Sequence, residues 1–427
     1  MASWSNWSGS VKAAPAEIAR PRTEAELAQL VSKARKVRVT GAGHSFMPLC
    51  ETDGTLLSLA DMDGEIELSA DGKRLWAPAG WSLARLTEAM WRKGVSLANQ
   101  GDVNPQALAG AIATGTHGTG AELGTLSTFA RAFRLMLHDG SIMTCSPAEN
   151  SDLFEAQRLS LGLMGVATRI EIDVMPAYHL EERLEVYPLD EIAERWSELE
   201  SANRHVEFFV FPYADLAMLK ILNPKPSEGE MREQKDMDDT AFRRVCDVCT
   251  ALPFLTPFVQ RRILPSELKR RRVGPAYKIF PSERTVKFEE MEYELPRANG
   301  WPALREVIAW IRKRRLPVAF PFEFRIVAAD DIWLSPFNGR EGASISMHQY
   351  HRMKWREIFA EAEKIFRAHD GRPHWAKRHT LTHADVLKLY PKGAQFCAVR
   401  EAVDPAAKFA NAHLAELFGA GMATKAA

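Results

Sequence analysis

Three glycine-rich stretches in the N-terminal part of the chain could hold the phosphates of an extended cofactor. The first, Gly41 to Ser45, follows a predicted strand, and its glycines expose successive backbone N–H groups that can surround a pyrophosphate. Residues 110–120 and 161–167 are also rich in small side chains, which allow a ligand to press against the backbone. For the first stretch the alternative is a turn whose histidine is structural, and for the second it is a buried glycine-rich turn packed on a helix. The candidate cofactor-binding residues within them are Gly41, Ala42, Gly43, His44, Ser45, Gly110, Thr114, Thr116, His117, Gly118, Thr119, Gly165 and Val166.

An acid and a base lie two residues apart on a predicted strand in the C-terminal half. Because alternate residues of a strand point the same way, Glu323 and Arg325 share one face. Their neighbours Phe322 and Phe324 are apolar, which argues against a solvent-exposed edge. A buried pair of this kind that faces a cavity can hold substrate hydroxyl groups by charge-assisted hydrogen bonds. A surface cross-strand ion pair is the alternative.

In their order along the chain, these motifs resemble those of the FAD-linked oxidases of the vanillyl-alcohol oxidase superfamily, in particular the aldonolactone and alditol oxidases. The resemblance extends from about residue 4 to residue 418 and rests on several independent motifs. The matching segments are Gly41 to Ser45 (G-x-G-H-S), 113–120, 164–168, 287–293, Glu323 to Arg325 (E-x-R), 333–336, His374 to Lys377 (H-W-x-K) and 404–414 (D-P-x-x-x-F-x-N-x-x-L).

The resemblance implies a cofactor and a set of catalytic residues. It implies FAD attached covalently through His44, and an alcohol group as the group that is oxidised. It also implies that Lys377 contacts both the flavin and the substrate, and it places Gly101 and Asp102 beside the flavin ring. The catalytic residues that it implies are Glu323, Arg325, His348 and Lys377. For His348 the alternative is a core histidine satisfied by a backbone group.

Two neighbouring residues bear on the electron acceptor and the substrate. In the related galactonolactone dehydrogenases an alanine at the position of Gly101 restricts the approach of oxygen to the flavin. A glycine here therefore predicts an oxidase that reduces O2 to H2O2. Asp102 lies where the alditol oxidases carry a serine, which argues against an acyclic polyol. The prediction is an FAD-dependent oxidase of an aldono-1,4-lactone.

Other functions stay open on the sequence. Within the same class, the substrate could be an alditol or a nucleoside, or the acceptor could be something other than oxygen, as in a dehydrogenase. From other classes, the alternatives are a flavin-binding protein without catalysis, an enzyme that acts through a membrane complex, and a two-domain enzyme without flavin. The expected partners are a small-molecule alcohol or sugar lactone and O2, and the expected assembly is a monomer or small homo-oligomer.

Charge and cysteine content narrow the class of protein. Lys+Arg and Asp+Glu each total 55, so no overall field would hold a nucleic acid. The five cysteines are scattered, and Cys246 and Cys249 have no second pair at zinc-site spacing, so we expect no metal. There is neither a signal-like N-terminus nor a long apolar run, so a cytoplasmic location is expected. The basic runs 261–262, 269–272 and 312–315 predict solvated faces, with contact to an anionic membrane surface or substrate as the alternative.

The predicted elements that would position these residues indicate an α+β fold. Helices are predicted over 22–36, 82–93 and 354–369, and strands over 37–40, 56–59, 167–174, 318–327 and 343–348, with hairpin turns at Asp71-Gly72 and Asp139-Gly140. Two domains are expected from the length. The resemblance implies an FAD-binding domain over 1–176, a cap domain with a large antiparallel sheet over 177–400, and a segment 401–427 that returns to the first domain. Residues 225–285 show no clear period, which predicts an insertion or a mobile lid.

Overall fold

The computed structural model describes residues 2–225 and 239–419. Its strands are β1 (Trp4–Ser5), β2 (Lys12–Ala13), β3 (Glu17–Ala19), β4 (Val37–Val39), β5 (Thr55–Leu57), β6 (Glu67–Leu68), β7 (Arg74–Pro78), β8 (Val95–Ser96), β9 (Ala130–Met136), β10 (Ile142–Cys145), β11 (Val166–Asp173), β12 (Met175–Pro176), β13 (His179–Pro188), β14 (His205–Val210), β15 (Leu216–Lys225), β16 (Lys269–Pro275), β17 (Phe288–Pro296), β18 (Phe322–Val327), β19 (Gly342–Tyr350) and β20 (Arg372–Pro373). Its helices are α1 (Glu24–Lys33), α2 (Leu83–Arg92), α3 (Leu108–Ala113), α4 (Ser151–Gln157), α5 (Leu189–Glu194), α6 (Trp196–Ala202), α7 (Asp239–Ala251), α8 (Thr256–Gln260), α9 (Ala276–Ile279), α10 (Gly300–Arg314), α11 (Arg356–Ala368), α12 (His383–Leu389), α13 (Gly393–Val403) and α14 (Ala412–Phe418). No helix in these two ranges has both the length and the apolar character needed to cross a membrane.

Two larger sheets organise the N-terminal part. A parallel sheet has the strand order β3-β5-β4, and a five-stranded antiparallel sheet has the order β10-β9-β11-β7-β6. Helix α1 begins where the sequence predicts it, because the Thr23 side chain accepts a hydrogen bond of 3.2 Å from the Glu26 backbone N–H. The two predicted hairpins, at Asp71-Gly72 and Asp139-Gly140, are confirmed by the β6–β7 and β9–β10 pairings.

One eight-stranded antiparallel sheet dominates the rest of the chain, in the order β16-β13-β15-β14-β18-β19-β17-β20. Side chains alternate across it, as the strand period requires. On β17, Met291, Tyr293 and Leu295 join a core with helices α5, α6, α10 and α11. The residues between them on the same strand are acidic and face the other way. The predicted large antiparallel sheet with helices on its outer face is therefore confirmed, and its inner face is polar.

The segment after residue 403 packs back on the N-terminal sheets. The Val37 N–H donates to the Lys408 carbonyl at 2.9 Å, and the Arg38 guanidinium donates to the Phe409 carbonyl. Asn411 donates to the Pro48 carbonyl at 2.6 Å. These contacts agree with a C-terminal return, although residues 420–427 lie outside the described part of the chain. The division at 176 and 400 stays a prediction.

The prediction of an irregular segment over 225–285 is wrong for most of its described residues. They form helices α7, α8 and α9 and the strand β16, whereas residues 226–238 lie outside the described part of the chain. The helical period was obscured because α7 buries cysteines, Cys246 and Cys249, in place of large apolar residues. Strand β16 is basic because it is an edge strand whose arginines pair with Glu181 and Glu182 of β13.

Candidate active site

A cavity of about 610 Å³ lies between the N-terminal sheets and the polar face of the large sheet. This volume is in the range of small-molecule and cofactor sites. Most of the residues predicted for the site line it. They are Gly41, Ala42, Gly43, His44, Ser45, Gly101, Asp102, Gly110, Thr114, Thr116, His117, Gly165, Val166, Glu323, Arg325, His348 and Lys377.

Two predicted cofactor-binding residues, Gly118 and Thr119, do not line the cavity. The Thr119 hydroxyl donates to the Val206 carbonyl at 2.6 Å and accepts from the Ile326 N–H at 3.2 Å. The segment is therefore anchored to strands β14 and β18 at this point. A threonine in a glycine-rich stretch suggests a ligand contact, but its hydroxyl can equally satisfy backbone groups, and the tertiary pairing decides between these roles.

The Gly41 to Ser45 turn presents free backbone donors to the cavity. Within the described residues, its five N–H groups have no hydrogen-bond acceptor in the chain. Gly43 adopts φ +68°, which favours glycine, and the turn is held by the Ser45 hydroxyl, 3.1 Å from the Met47 carbonyl. The Trp7 indole stacks on the His44 ring, with the ring centroids 5.4 Å apart. Such a row of N–H groups forms an anion site.

Several buried polar atoms around the cavity also lack a partner. The indole N–H of Trp81, the side-chain oxygens of Gln106 and Gln157, and the Thr116 hydroxyl have no hydrogen bond among the described residues. All four residues line the cavity. Because unpaired buried polar groups are costly, these atoms point to a large ligand with many polar groups. Together with the free N–H groups of the turn, they fit a dinucleotide cofactor such as FAD.

The acid–guanidinium pair lies on strand β18, as the sequence predicts. The Arg325 Nε atom is 3.4 Å from Glu323 Oε1, and both side chains are buried. Arg325 is fixed more tightly by Glu292 of β17, since its Nη2 atom lies 2.5 Å from Glu292 Oε1. Ser344 of β19 donates to the same carboxylate oxygen at 2.8 Å. Glu292 therefore holds the guanidinium in place on the cavity wall.

Lys377, His348 and Glu290 form a second charged group on this wall. The Lys377 ammonium forms an ion pair with Glu290, and His348 Nε2 lies 3.3 Å from Glu290 Oε1. Burial alone would favour the neutral acid, but Lys377 and His348 lower the pKa of Glu290 to about 2. His348 Nδ1 donates to the Pro321 carbonyl at 3.1 Å, so the ring is oriented with Nε2 toward Glu290.

His117 is charged by the carboxylates next to it. Its Nε2 atom lies 3.2 Å from Glu292 and 3.3 Å from Glu294. Burial opposes the charged ring, but Glu294 and Glu292 raise the pKa of His117 to about 9. Burial raises the pKa of Glu294, whereas Arg325 and His117 hold the pKa of Glu292 well below its usual range despite burial. Of these two glutamates, Glu292 is therefore the ionised one, and it faces both the Arg325 guanidinium and the charged His117 ring.

Asp102, in the loop between β8 and α3, connects this loop to the large sheet. Its carboxylate accepts from Lys220 of β15 at 3.1 Å and from Arg284 at 2.9 Å. Lys220 also pairs with Glu207 of β14 at 2.7 Å. Burial raises the pKa of Glu207 to about 7, although Lys220 opposes this shift. Asp102 therefore lies at the cavity wall as a fixed charge whose two oxygens are both engaged.

Sequence reasoning missed three acids of this site, Glu290, Glu292 and Glu294. They alternate with apolar residues on β17, a pattern that usually indicates a half-exposed strand. Two groups of side chains have potential metal-ligand atoms within 4.8 Å of one another. One group is His117 with Glu292 and Glu294, and the other is Asp102 with Glu207 and Glu323. Arginines and lysines already face these acids, so the charges are balanced within the chain.

Comparison with known proteins identifies the family. Residues 170–417 match the family model described as D-arabinono-1,4-lactone oxidase, and residues 15–146 match the one described as FAD binding domain. The chain belongs to the D-arabinono-1,4-lactone oxidase family. It is therefore, as predicted, an FAD-dependent oxidoreductase that acts on alcohol groups.

Relatives of this family member differ in their acceptor. The chain is 35% identical to an L-gulono-1,4-lactone dehydrogenase of Mycobacterium tuberculosis, over 97% of this chain and 99% of that protein. It is 28% identical to the L-gulonolactone oxidase of Bos taurus, over 97% of each chain. Among solved structures, a solvent-stable cholesterol oxidase is 17% identical and superposes with a TM-score of 0.82 over 98% of this chain and 97% of that one. This last likeness confirms the predicted vanillyl-alcohol-oxidase-type fold.

Proposed function

We propose that this protein oxidises a hydroxyl group of an aldono-1,4-lactone and passes the electrons to O2, with FAD attached covalently to His44. The alcohol carbon loses hydrogen and becomes a carbonyl, and O2 is reduced to H2O2. The observation that carries the proposal is that one cavity brings together the Gly41 to Ser45 turn and the side chains of Glu323, Arg325, His348 and Lys377. FAD, when bound, supplies the two-electron acceptor.

His44 is suited to a covalent bond because its ring is neutral. Burial, together with the nearby charge of Lys377, lowers the pKa of His44 to about 4. A neutral imidazole nitrogen keeps the lone pair that bond formation to a flavin methyl carbon needs. The Trp7 ring stacked on it restricts its orientation. The loop geometry thus supports the tether, and the free N–H groups beside it would hold the pyrophosphate.

The polar wall would bind the lactone hydroxyl groups and move the proton. Arg325 can donate to a substrate oxygen, and Glu323 can accept from a neighbouring hydroxyl. Glu290 and His348, whose Oε1 and Nε2 atoms lie 3.3 Å apart, would together receive the proton of the reacting hydroxyl, and the contact of Nδ1 with the Pro321 carbonyl fixes the ring for this role. Lys377 would stabilise negative charge that develops at the flavin and substrate oxygens.

The covalent link has a direct test. Purified protein is denatured and separated on a gel, and flavin fluorescence is expected to travel with the wild-type chain. His44→Ala is expected to lose the fluorescence, while His351→Ala, a histidine that does not line the cavity, keeps it. Flavin released from the wild type on denaturation would refute the covalent link, although FAD binding itself would stand.

The identities of the substrate and the electron acceptor are tested with a panel of candidate compounds. Gulono-, galactono- and arabinono-1,4-lactones, alditols and nucleosides are each assayed with peroxide detection and, separately, with an artificial dye as acceptor. Lactone turnover with stoichiometric peroxide supports the proposal. Dye reduction without peroxide would favour a dehydrogenase, the second candidate, which the name of the Mycobacterium tuberculosis relative supports. Alditol or nucleoside turnover alone would replace the lactone assignment.

The proposal also includes a cytoplasmic location and an assembly that is a monomer or small homo-oligomer. It divides the chain into domains over 1–176 and 177–400. Light scattering of the purified protein measures the assembly. Limited proteolysis that yields a flavin-bearing fragment ending near residue 176 would support the division.

A further inference from the structure

A cluster of exposed apolar side chains lies on helices α7 and α8 and the turn between them. Seven large apolar residues are exposed within the described ranges, and four of them fall between residues 248 and 258. Single exposed apolar residues are ordinary, but four within eleven consecutive residues indicate a contact surface. Phe254 and Phe258 are the most exposed, at 75% and 59%. The four are Val248, Leu252, Phe254 and Phe258.

Arginines border this apolar set. Arg244 is exposed and lies one helical turn before Val248, on the same side of α7. Arg261 and Arg262 follow α8 and are also exposed, and the Arg262 guanidinium lies 4.1 Å from the centre of the Phe258 ring. Across residues 2–225 and 239–419, none of these three arginines forms an ion pair. We call Val248, Leu252, Phe254, Phe258, Arg244, Arg261 and Arg262 the basic–apolar platform.

The platform cannot turn its apolar side chains inward, because its other side is anchored in the protein. Cys246 and Cys249 pack in a core with Phe320 and Tyr350. The buried Gln260 side chain donates to the Val318 carbonyl at 2.6 Å and accepts from a backbone N–H at 3.1 Å. The exposed aromatic rings are therefore held outward.

We propose that the basic–apolar platform docks on an anionic lipid surface. Aromatic and aliphatic side chains beside arginines are the composition of an interfacial segment, in which the rings enter the headgroup region and the arginines meet lipid phosphates. The charge argues for lipid over a second copy of the chain, since a two-fold contact would bring arginines of the same sign together. Helix α7 also lines the active-site cavity through Phe242, so docking would place one cavity wall beside the membrane.

Vesicle co-sedimentation of the flavin-loaded full chain tests the proposal. We expect binding to vesicles of phosphatidylcholine with phosphatidylglycerol, weaker binding to phosphatidylcholine alone, and a decrease as salt is raised, since screening weakens the headgroup contacts. Phe254→Ser with Phe258→Ser, and separately Arg261→Glu with Arg262→Glu, should each weaken binding by about tenfold or more. Turnover of a soluble substrate should stay unchanged, because none of these residues lines the cavity.

Matched controls separate the platform from general charge and exposure. Lys313→Glu with Arg314→Glu makes the same change in net charge on helix α10, and Ile142→Ser removes an exposed apolar side chain elsewhere. Both controls should bind vesicles like the wild type. The proposal is overturned if the wild type does not bind anionic vesicles at low salt, or if the controls lose binding equally. It is also overturned if the platform variants abolish self-association in solution while vesicle binding is absent.

Discussion

Glu292→Gln is the most informative single change in the active site, because this one carboxylate contacts four polar side chains of the wall. Its oxygens accept from Arg325 at 2.5 Å and Ser344 at 2.8 Å, lie 3.2 Å from His117, and are 3.6 Å from the Lys377 ammonium. Glutamine keeps the size of the side chain but removes the charge, and its amide N–H groups face cations. The guanidinium of Arg325 then loses its tightest contact.

The magnitude follows from the burial of this ion pair. Removing one partner of a buried pair costs about 3–5 kcal/mol in the free energy of unfolding. For a cooperative unit of roughly 150–250 residues, this corresponds to a fall of about 6–20 °C in Tm. A loosened Arg325 should also lower kcat/KM for the lactone by about 100-fold, because a misplaced positioning group is that costly.

Circular dichroism melting and steady-state kinetics with a dye acceptor measure both effects. Glu289→Gln is the matched control: Glu289 lies three residues earlier on the opposite face of β17 and accepts from Arg378 at 2.9 and 2.8 Å. It should lower Tm but leave kcat/KM within about twofold, since it does not reach the cavity. A Glu292→Gln enzyme with wild-type kcat/KM and a loss of under about 1 kcal/mol in unfolding free energy would refute the positioning role.

Three further perturbations probe the same site. Gly101→Ala would place a methyl group 3.1 Å from the His117 carbonyl oxygen, and we expect oxygen turnover to fall about tenfold while dye turnover changes little; equal falls with both acceptors would contradict a role in oxygen access. The pKa of His117 is raised from 6.5 to about 9, so the stability that its charge contributes is complete below pH 6.5 and is lost as the pH rises through 9. The Tm of the wild type should therefore fall between pH 6.5 and pH 9, and the Tm of His117→Gln should fall less. An equal fall of Tm with pH in both proteins would exclude His117 as the source of this pH dependence. Lys377→Met should lower kcat by a larger factor than it changes KM, and it should shift the flavin absorption spectrum. Lys392→Met, at a lysine outside the cavity, should have neither effect.

The sequence by itself determined those parts of this protein whose geometry is local. The Gly41 to Ser45 turn can be predicted from the sequence because its two glycines and its histidine directly follow a strand, so its conformation depends on local residues. The same holds for helix α1 and its Thr23 cap, and for Glu323 and Arg325, whose two-residue spacing fixes a common face before any tertiary contact is known.

Only the tertiary structure decided which charges share the cavity. Glu292, Lys220 and His117 come from separate strands and loops, and no local pattern tells whether an alternating acidic strand faces solvent or a closed cleft. Thr119 was predicted to bind the cofactor, but it does not line the cavity, since its hydroxyl is satisfied by strands that are distant in sequence. Burial and long-range pairing set these outcomes, because the free energy of a buried charge depends on neighbours that the chain supplies only when it is folded.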